Sequence, residues 1–223
     1  MKIQGIFLDF DGVISHNSNE LMIRWLHAYA CRTAEGPVGL QTVRTVAKLA
    51  SACAPRELLE LFFRSFAIPG QISEVQQAMH RETSPAVCIG DALSPLIADC
   101  IRQGIQVKVL SQRSATQGSF NQLHHVPGIE RNMICSTHGL SKANPLCYRQ
   151  VGEEFGLNLS EWLMVDDSPY ALRGAKVAGL QTAWIVTPSF HEADYQDYEE
   201  LIDLRLESLA ALLPLIGSSL AAA

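Results

Sequence analysis

Residues 3–13 read IQGIFLDFDGV, an apolar run that ends in two aspartates one residue apart and then a glycine. The run is continuous rather than alternating, which is typical of a strand covered on both faces in a parallel sheet. Open α/β sheets bind their ligands at the carboxyl ends of such strands. The sequence therefore predicts a buried first strand that delivers Asp9 and Asp11 to a binding edge.

Four further short apolar runs have the same character, and helical patterns lie between them. The predicted strands comprise residues 3–8, 106–110, 132–135, 162–165 and 182–186. Three of the intervening helical patterns stop at a glycine, the residue that most often ends a helix: Gly104, Gly156 and Gly179. This alternation predicts an α/β protein whose core is a Rossmann-like doubly wound parallel sheet.

The connection after the first strand is too long for a simple crossover, which needs only about a dozen residues. Residues 16–87 are helical in pattern throughout, with predicted helices at 20–31, 38–52, 55–66 and 73–81. Gly-Pro, Ala-Pro and Pro-Gly pairs separate these helices. We therefore expect an inserted small α-helical cap domain at 16–87, and a core domain made of residues 1–15 and 88–223.

Composition narrows the class of protein further. The 223 residues are 48% hydrophobic and 18% charged, with a formal net charge of −6, so the chain can bury a core and is not a disordered polyelectrolyte. No basic stripe suits nucleic acid, and no apolar run is long enough for a membrane span or a secretion signal. Six scattered cysteines without a CxxC pair are typical of reduced thiols. We expect a cytoplasmic protein that acts on a small molecule, with neither nucleic acid nor membrane as partner.

Polar residues follow other predicted strands at the same edge. Ser111 follows the second strand, Asp166 and Asp167 follow the fourth, and Lys142 comes just before the helix at 145–155. Each alone has an ordinary explanation, because serines often cap helices and lone lysines usually lie on the surface. Several carboxylates at one edge, however, repel each other unless a cation or a shared proton intervenes. The combination predicts a hard metal ion or acid–base chemistry.

Together these segments resemble the four motifs of the haloacid dehalogenase-like hydrolase superfamily. The matching segments are DFDGV at 9–13, VLS at 109–111, Lys142 within SKANP, and VDDSPYALRGAKVAG at 165–179. The long helical insertion after the first motif is similar to the cap of the phosphoglycolate phosphatase and β-phosphoglucomutase branch. The resemblance implies a cap that closes over the site, excludes water and selects the substrate.

The resemblance also implies a reaction: hydrolysis of a small phosphorylated metabolite through an aspartyl-phosphate. Asp9 would be the nucleophile, and Asp11 would act first as general acid and then as general base. Mg²⁺ would be the cofactor, bound by the Asp9 side chain, the Asp11 backbone carbonyl and Asp167. Asp166 would be either a direct ligand or one that acts through water.

Substrate contacts are implied for five residues: Gly12, Ser111, Gln112, Lys142 and His16. Ser111 and Lys142 would also be catalytic, because they would hold and neutralise the transferring oxygens. His16 begins the polar segment 16–19 that leads into the predicted cap. A polar hinge and helix cap explains that segment at least as well as a contact with substrate.

Two departures from the family pattern leave alternatives open. Mutases of this branch carry a His twelve positions after the nucleophile, where this chain has Leu21, so hydrolysis is favoured over a phosphosugar mutase. The usual KPxP after the motif lysine is here Lys142-Ala143-Asn144-Pro145, which predicts looser positioning of the lysine. A binding or regulatory protein without turnover is therefore a second alternative. The sequence leaves open which substrate is used and whether the protein is a monomer or a homodimer.

Overall fold

A computed structural model of the chain describes residues 3–50, 52–68, 70–113, 120–130, 133–187 and 196–218. Over these residues there are six β-strands and eight α-helices. The strands are β1 (Gly5–Leu8), β2 (Gln106–Ser111), β3 (Ile134–Ser136), β4 (Trp162–Asp166), β5 (Gln181–Ile185) and β6 (Leu204–Leu206). The helices are α1 (Ser18–Thr33), α2 (Leu40–Ala50), α3 (Pro55–Ser65), α4 (Ile72–Thr83), α5 (Leu93–Arg102), α6 (Pro145–Phe155), α7 (Pro169–Ala178) and α8 (Leu213–Ser218).

The strands form one parallel sheet in the order β3-β2-β1-β4-β5-β6. β1 lies near the middle, and Leu8 is in register with Val109 of β2 on one side and Val165 of β4 on the other. The strand order changes direction beside β1, which is where ligand sites form in doubly wound sheets. The predicted Rossmann-like doubly wound parallel sheet is confirmed.

Both faces of the sheet are covered, which explains why the strand sequences are continuously apolar. Ile6 and Leu8 of β1 join an apolar cluster on the face covered by α5 and the C-terminal segment. Phe7 points to the opposite face, where it belongs to a second cluster with Tyr148 of α6 and Leu172 of α7. Successive residues of a strand alternate between faces, so every position of β1 has apolar neighbours.

All four helices predicted for the long insertion are present as α1 to α4. They share an apolar cluster separate from the two on the sheet, and its buried members are Ile23, Leu26, Ala30, Val43, Ala47, Leu59, Phe62, Phe63, Ile68, Val75 and Met79. Burial of this many apolar side chains is the main force that holds such a small helical unit together. The division into domains at residues 16 and 87 stays a prediction.

The C-terminal segment 199–216 has leucines at helical spacing, yet it is not helical throughout. Leu204–Leu206 instead forms β6, a sixth strand that the sequence analysis missed and that pairs in parallel with β5. Pairing satisfies backbone groups at the open edge of β5, and this outweighs the helical spacing of the leucines. The segment docks on its own core, since Leu209, Leu212 and Ile216 are buried in the cluster beside α5. The predicted start of the third strand, at residue 132, lies outside the described residues.

Two general properties accompany this fold. None of the helices in the described parts of the chain combines the length and the apolar character that crossing a membrane requires. All six cysteines are free thiols, and Cys100, Cys135 and Cys147 are buried. Burial raises the pKa of the Cys135 thiol to about 11 and that of Cys147 to about 12, so these thiols stay protonated and unreactive near neutral pH.

Candidate active site

Charged side chains from three segments meet at the carboxyl edge of the sheet. Asp9 directly follows β1, and its backbone N–H donates to the carbonyl of Val165 at 2.9 Å, which brings it beside Asp166 at the end of β4. The amine of Lys142, from the loop before α6, lies 2.6 Å from Asp9 Oδ1 and 2.6 Å from Asp166 Oδ2. All three side chains are buried. The sequence prediction that these residues converge is therefore matched by the geometry.

Asp9, Asp166 and Asp167 form a compact cluster, with one carboxylate oxygen of each lying within 4.8 Å of the others. Burial raises the pKa of the Asp9 carboxyl to about 7, despite the opposing effect of the Lys142 charge. Burial and the neighbouring Asp166 and Asp9 charges also raise the pKa of Asp167 well above its usual range. Lys142 supplies one positive charge for three carboxylates, so the cluster suits a divalent cation with oxygen ligands.

Lys142 is held by the loop that carries it and by α7. Asn144 begins α6, and its Oδ1 accepts a hydrogen bond from the Leu146 N–H at 3.0 Å, with Pro145 as the first helical residue. Gly174 of α7 packs so closely on this loop that a Cβ atom there would lie 2.1 Å from the Lys142 carbonyl oxygen. Burial opposes the charge on Lys142, but Asp166 and Asp9 outweigh it and raise its pKa. The ammonium is therefore fixed between the ends of β1 and β4.

Asp11 lies near the carboxylate cluster and is ion-paired with Arg113. Arg113 Nε donates to Asp11 Oδ2 at 2.7 Å, and Nη2 donates to Oδ1 at 2.6 Å, which is the two-pronged geometry of the strongest arginine–carboxylate pairs. Burial raises the pKa of the Asp11 carboxyl, but the charge and hydrogen bonds of Arg113 outweigh this and hold it below its usual range. Sequence reasoning missed Arg113. Its position in the loop after β2, two residues beyond Ser111, was the available signal.

These side chains line a cavity of about 180 Å³ between the sheet edge and helices α1 to α4. From the sheet side the lining comprises Asp9, Asp11, Ser111, Gln112, Arg113, Lys142, Asp166, Asp167, Ser168 and Ala171. From the helical side it comprises Asn19, Met22, Ile23, Arg44, Ala47, Lys48, Cys53, Leu58, Leu59, Gln76, Met79, His80 and Thr83. A charged floor thus faces a largely apolar roof, an arrangement typical of small-molecule sites.

The structure places two of the predicted substrate contacts away from this cavity. His16 is exposed and lines a neighbouring cavity together with Gly12. The reason is a tight turn after β1, in which the Gly12 N–H donates to the Ser15 carbonyl at 2.8 Å and directs the chain outward. The expected contact of His16 with substrate at Asp9 is therefore not supported by the geometry. Gly12 instead packs against the Asp167 carboxylate.

Ser111 and Gln112 lie at the end of β2, as predicted. Ser111 is buried, and its hydroxyl accepts a hydrogen bond from the Arg113 backbone N–H at 3.2 Å. Gln112 lines the cavity and also donates from Nε2 to the carbonyl of Cys53, at 3.0 Å, in the turn between α2 and α3. Ser141 donates to the neighbouring Ala52 carbonyl at 2.8 Å. These two bonds tie the helical segment to the sheet edge over the cavity.

A family model described as haloacid dehalogenase-like hydrolase matches residues 6–185. The match spans β1 to β5, helices α1 to α7, and every charged residue at the sheet edge. The chain belongs to this family. Membership makes the protein a hydrolase and confirms the family resemblance found in the sequence motifs.

Individual relatives agree with this assignment. The chain is 24% identical over 220 residues to enolase-phosphatase E1 of Aquifex aeolicus, covering 91% of this chain and 98% of that protein. The crystal structure of CbbY from Rhodobacter sphaeroides in complex with phosphate superposes with a TM-score of 0.76 at 20% identity, covering 94% and 96% of the two chains. A putative β-phosphoglucomutase from Bacteroides vulgatus gives 0.75 at 16% identity, covering 98% and 90%. These structural likenesses support the fold, including the helices between β1 and β2.

Proposed function

We propose that the protein is a Mg²⁺-dependent phosphatase that hydrolyses a small phosphorylated metabolite through an aspartyl-phosphate intermediate. The observation that carries this proposal is the position of Asp9 on the floor of a covered cavity, in contact with the Lys142 ammonium and clustered with Asp166 and Asp167. Phosphoryl transfer depends mainly on positioning and on neutralising negative charge around the transferring group. A buried carboxylate beside a lysine and a cation-binding cluster meets both requirements.

The proposed first step is attack by an Asp9 carboxylate oxygen on phosphorus, while the bond between phosphorus and the ester oxygen breaks. Asp11 donates a proton to the departing oxygen, and in the second step it accepts a proton from the water that attacks the aspartyl-phosphate. Paired with Arg113, Asp11 is held in the ionised form that the second step needs. The first step needs a proton on Asp11, so this pairing must loosen when substrate binds.

The donor set supports Mg²⁺ because it offers hard carboxylate oxygens at one buried point. Bound by Asp9, the Asp11 carbonyl and Asp167, with Asp166 a ligand directly or through water, the ion would supply positive charge against the phosphoryl oxygens. Lys142 contributes a second positive charge from the chain itself, held 2.6 Å from Asp9. Ser111, buried at the end of β2, offers a hydroxyl to the same oxygens.

Hydrolysis is favoured over phosphosugar mutase activity by the surroundings of Leu21. This side chain packs against the apolar cluster of the sheet rather than lining the cavity with Asp9. A leucine there offers no acid–base group to a bound sugar. Turnover is favoured over a regulatory role because Lys142 keeps both carboxylate partners despite its altered loop. The phosphatase name of the Aquifex aeolicus relative and the phosphate bound to CbbY agree with a phosphate ester as substrate.

The test is release of inorganic phosphate from 4-nitrophenyl phosphate. We expect release with Mg²⁺, its loss on chelation with EDTA, and its return when Mg²⁺ is added back. Asp9→Asn should abolish turnover, whereas Asp91→Asn, at an exposed aspartate outside the cavity lining, should leave it unchanged. Undiminished activity of the Asp9 variant would remove the proposed nucleophile. A panel of phosphorylated sugars, glycolate, nucleotides and pyrophosphate would then identify the substrate class.

A further inference from the structure

Arg113 has one nitrogen that the ion pair with Asp11 leaves unused. Its side chain is only 10% exposed, and Nε and Nη2 are both engaged with the Asp11 carboxylate. Nη1 is buried, and within the described residues it has no hydrogen-bond partner. Buried N–H groups are rarely left without an acceptor, because losing hydration without replacement is costly. We therefore expect a hydrogen-bond acceptor to lie at this position when substrate is bound.

The surroundings of Arg113 indicate what kind of acceptor fits. Arg113 lines the same cavity as Asp9, with the helical segment forming the opposite wall. Over its described residues that wall contributes Arg44 and Lys48 and no carboxylate. The floor holds the acidic side chains, and Asp9 and Lys142 there are assigned to the phosphoryl group. Arg44 is neutralised by its ion pair with Glu20 at 2.6 Å, so it is the charge of the Arg113 guanidinium itself that favours an anion over a neutral acceptor.

We propose that Arg113 is a specificity-determining residue whose Nη1 binds a second anionic group of the substrate, a carboxylate or a phosphate carried in addition to the phosphate that is hydrolysed. This inference rests on the proposed phosphatase function. Arginine donates short, charge-assisted hydrogen bonds to either kind of anion, and as the pairing with Asp11 loosens in the first step, the guanidinium can take the second anionic group as its new partner. Substrates without such a group leave Nη1 buried without an acceptor and are turned over less efficiently.

The experiment compares synthetic substrates that differ only in the charge of the far group. Carboxyalkyl phosphates with one to three methylenes are paired with carbamoylalkyl phosphates of the same length, which are nearly isosteric and neutral. Alkanediol bisphosphates of matching length form the third arm and distinguish a second phosphate from a carboxylate. At the best length we expect kcat/KM to be ~10- to 100-fold higher for an anionic member than for the amide, as a charge-assisted hydrogen bond implies.

The decisive variant is Arg113→Gln, judged by the ratio of kcat/KM between the anionic substrate and its amide. Loss of the Asp11 contact should lower turnover of both substrates, whereas loss of the proposed contact lowers the ratio to about one. Arg149→Gln, at an exposed arginine of α6 outside the cavity lining, should keep the wild-type ratio. Arg113→Lys, which keeps the charge, should retain part of the preference.

Binding measurements keep the inference testable if Arg113→Gln is too slow for kinetics. Dissociation constants for the same compounds are measured by calorimetry in Asp9→Asn and in Asp9→Asn/Arg113→Gln, where the anionic preference should appear only in the first.

An equal kcat/KM for anion and amide in the wild type, or an unchanged ratio in Arg113→Gln, overturns the inference. If the protein releases phosphate from 4-nitrophenyl phosphate but shows no preference for the anionic substrates, the proposed phosphatase function stands and only the proposed role of Arg113 is wrong. If no compound releases phosphate, the phosphatase proposal itself is wrong. The ratio of the dissociation constants of the anion and the amide then decides whether Arg113 binds an anion.

Discussion

The backbone of Gly12 rests against the carboxylate of Asp167, so closely that a Cβ atom at position 12 would lie 2.1 Å from Asp167 Oδ2. Gly12 also has φ +87°, a conformation that side-chain-bearing residues rarely adopt. Asp167 is oriented at the same time by Asn19, whose Nδ2 donates to Oδ2 at 3.0 Å. The turn after β1 and the residue after β4 thus interlock, and this contact sets the position of one carboxylate of the cluster.

Gly12→Ala should therefore abolish activity and weaken Mg²⁺ binding. The new methyl group would displace Asp167, and the positive φ adds a backbone cost of about 1 kcal/mol or more. We expect a fall in kcat/KM of at least about 100-fold, by analogy with small displacements in other sites, measured as phosphate release. Gly104→Ala is the matched control, because Gly104 has φ +71° and no neighbouring atom within 4 Å of its Cβ position. Similar activity of the two variants would contradict the proposed contact.

Gly174→Ala should impair catalysis through the loop that carries Lys142. A Cβ atom at position 174 would lie 2.1 Å from the Lys142 carbonyl oxygen, so α7 or the loop must shift. In an exposed helix this substitution would stabilise by about 1 kcal/mol, so any loss of stability reports the clash. We expect kcat to fall about 10- to 100-fold. Gly152→Ala in α6, where the neighbour is the Leu159 side chain at 3.1 Å, can be accommodated by side-chain movement and should retain most of its activity.

Ser141→Ala should loosen the helical segment over the cavity. The Ser141 hydroxyl donates to the Ala52 carbonyl at 2.8 Å, and one such bond contributes about 0.5–1.5 kcal/mol. KM should therefore rise about two- to tenfold, and amide hydrogen exchange should speed up around residues 52–54. Ser136→Ala removes a hydroxyl whose described contact is a local bond from the His138 N–H, and it serves as control. Unchanged exchange in the Ser141 variant would show that this bond does not hold the segment.

Stability should depend on pH through Asp203, which joins β5 to the segment before β6. Its Oδ2 accepts hydrogen bonds from the Thr182 N–H and hydroxyl at 2.9 and 3.1 Å, and Oδ1 pairs with Lys176 of α7. Burial raises its pKa, but these partners together outweigh burial and hold the pKa below its usual value of 3.8. A depressed folded-state pKa stabilises the protein above the unfolded value, and this stabilisation disappears as pH falls through the folded one.

The corresponding variant is Asp203→Asn. Because Asp203 is itself exposed and solvent screens its ion pair, the variant should lower the free energy of unfolding by only about 0.5–1 kcal/mol at pH 7. The difference from wild type should shrink as the pH falls below about 4. Urea denaturation at several pH values measures both. Asp91→Asn, at an exposed aspartate, should show neither effect. A difference that grows as the pH falls would contradict the assigned direction.

Sequence reasoning predicted the parallel core and the meeting of Asp9, Lys142 and Asp166 because both follow from short-range patterns. Continuous apolar runs mark doubly covered strands, and parallel strands bring their carboxyl ends to one edge. The positions of these residues along the chain were therefore enough to predict that their side chains meet. The helices of the insertion could be predicted equally well, because each carries its own hydrophobic periodicity and is bounded by proline or glycine.

Other features depended on contacts that no local pattern encodes. The orientation of the Arg113 side chain depends on its ion pair with Asp11, which lies 102 positions earlier in the chain. The role of Asn19 depends on Asp167, 148 positions later. β6 has only three residues, and its strand conformation comes from the open edge of β5 rather than from its own sequence. Such features are settled by tertiary packing, which outweighs local preference.

The central place of β1 in the sheet also affects how the protein emerges from the ribosome. β1 is flanked by β2 on one side and by β4 on the other, and β4 ends only at Asp166, more than 150 positions after β1. A nascent chain must therefore keep β1 unpaired on one flank until residues 162–166 have been made. Helices α1 to α4, whose contacts are close in sequence, are able to collapse well before that. Translation pausing or chaperone capture before residue 162 would thus hold back a chain that has Asp9 but still lacks Asp166 and Asp167.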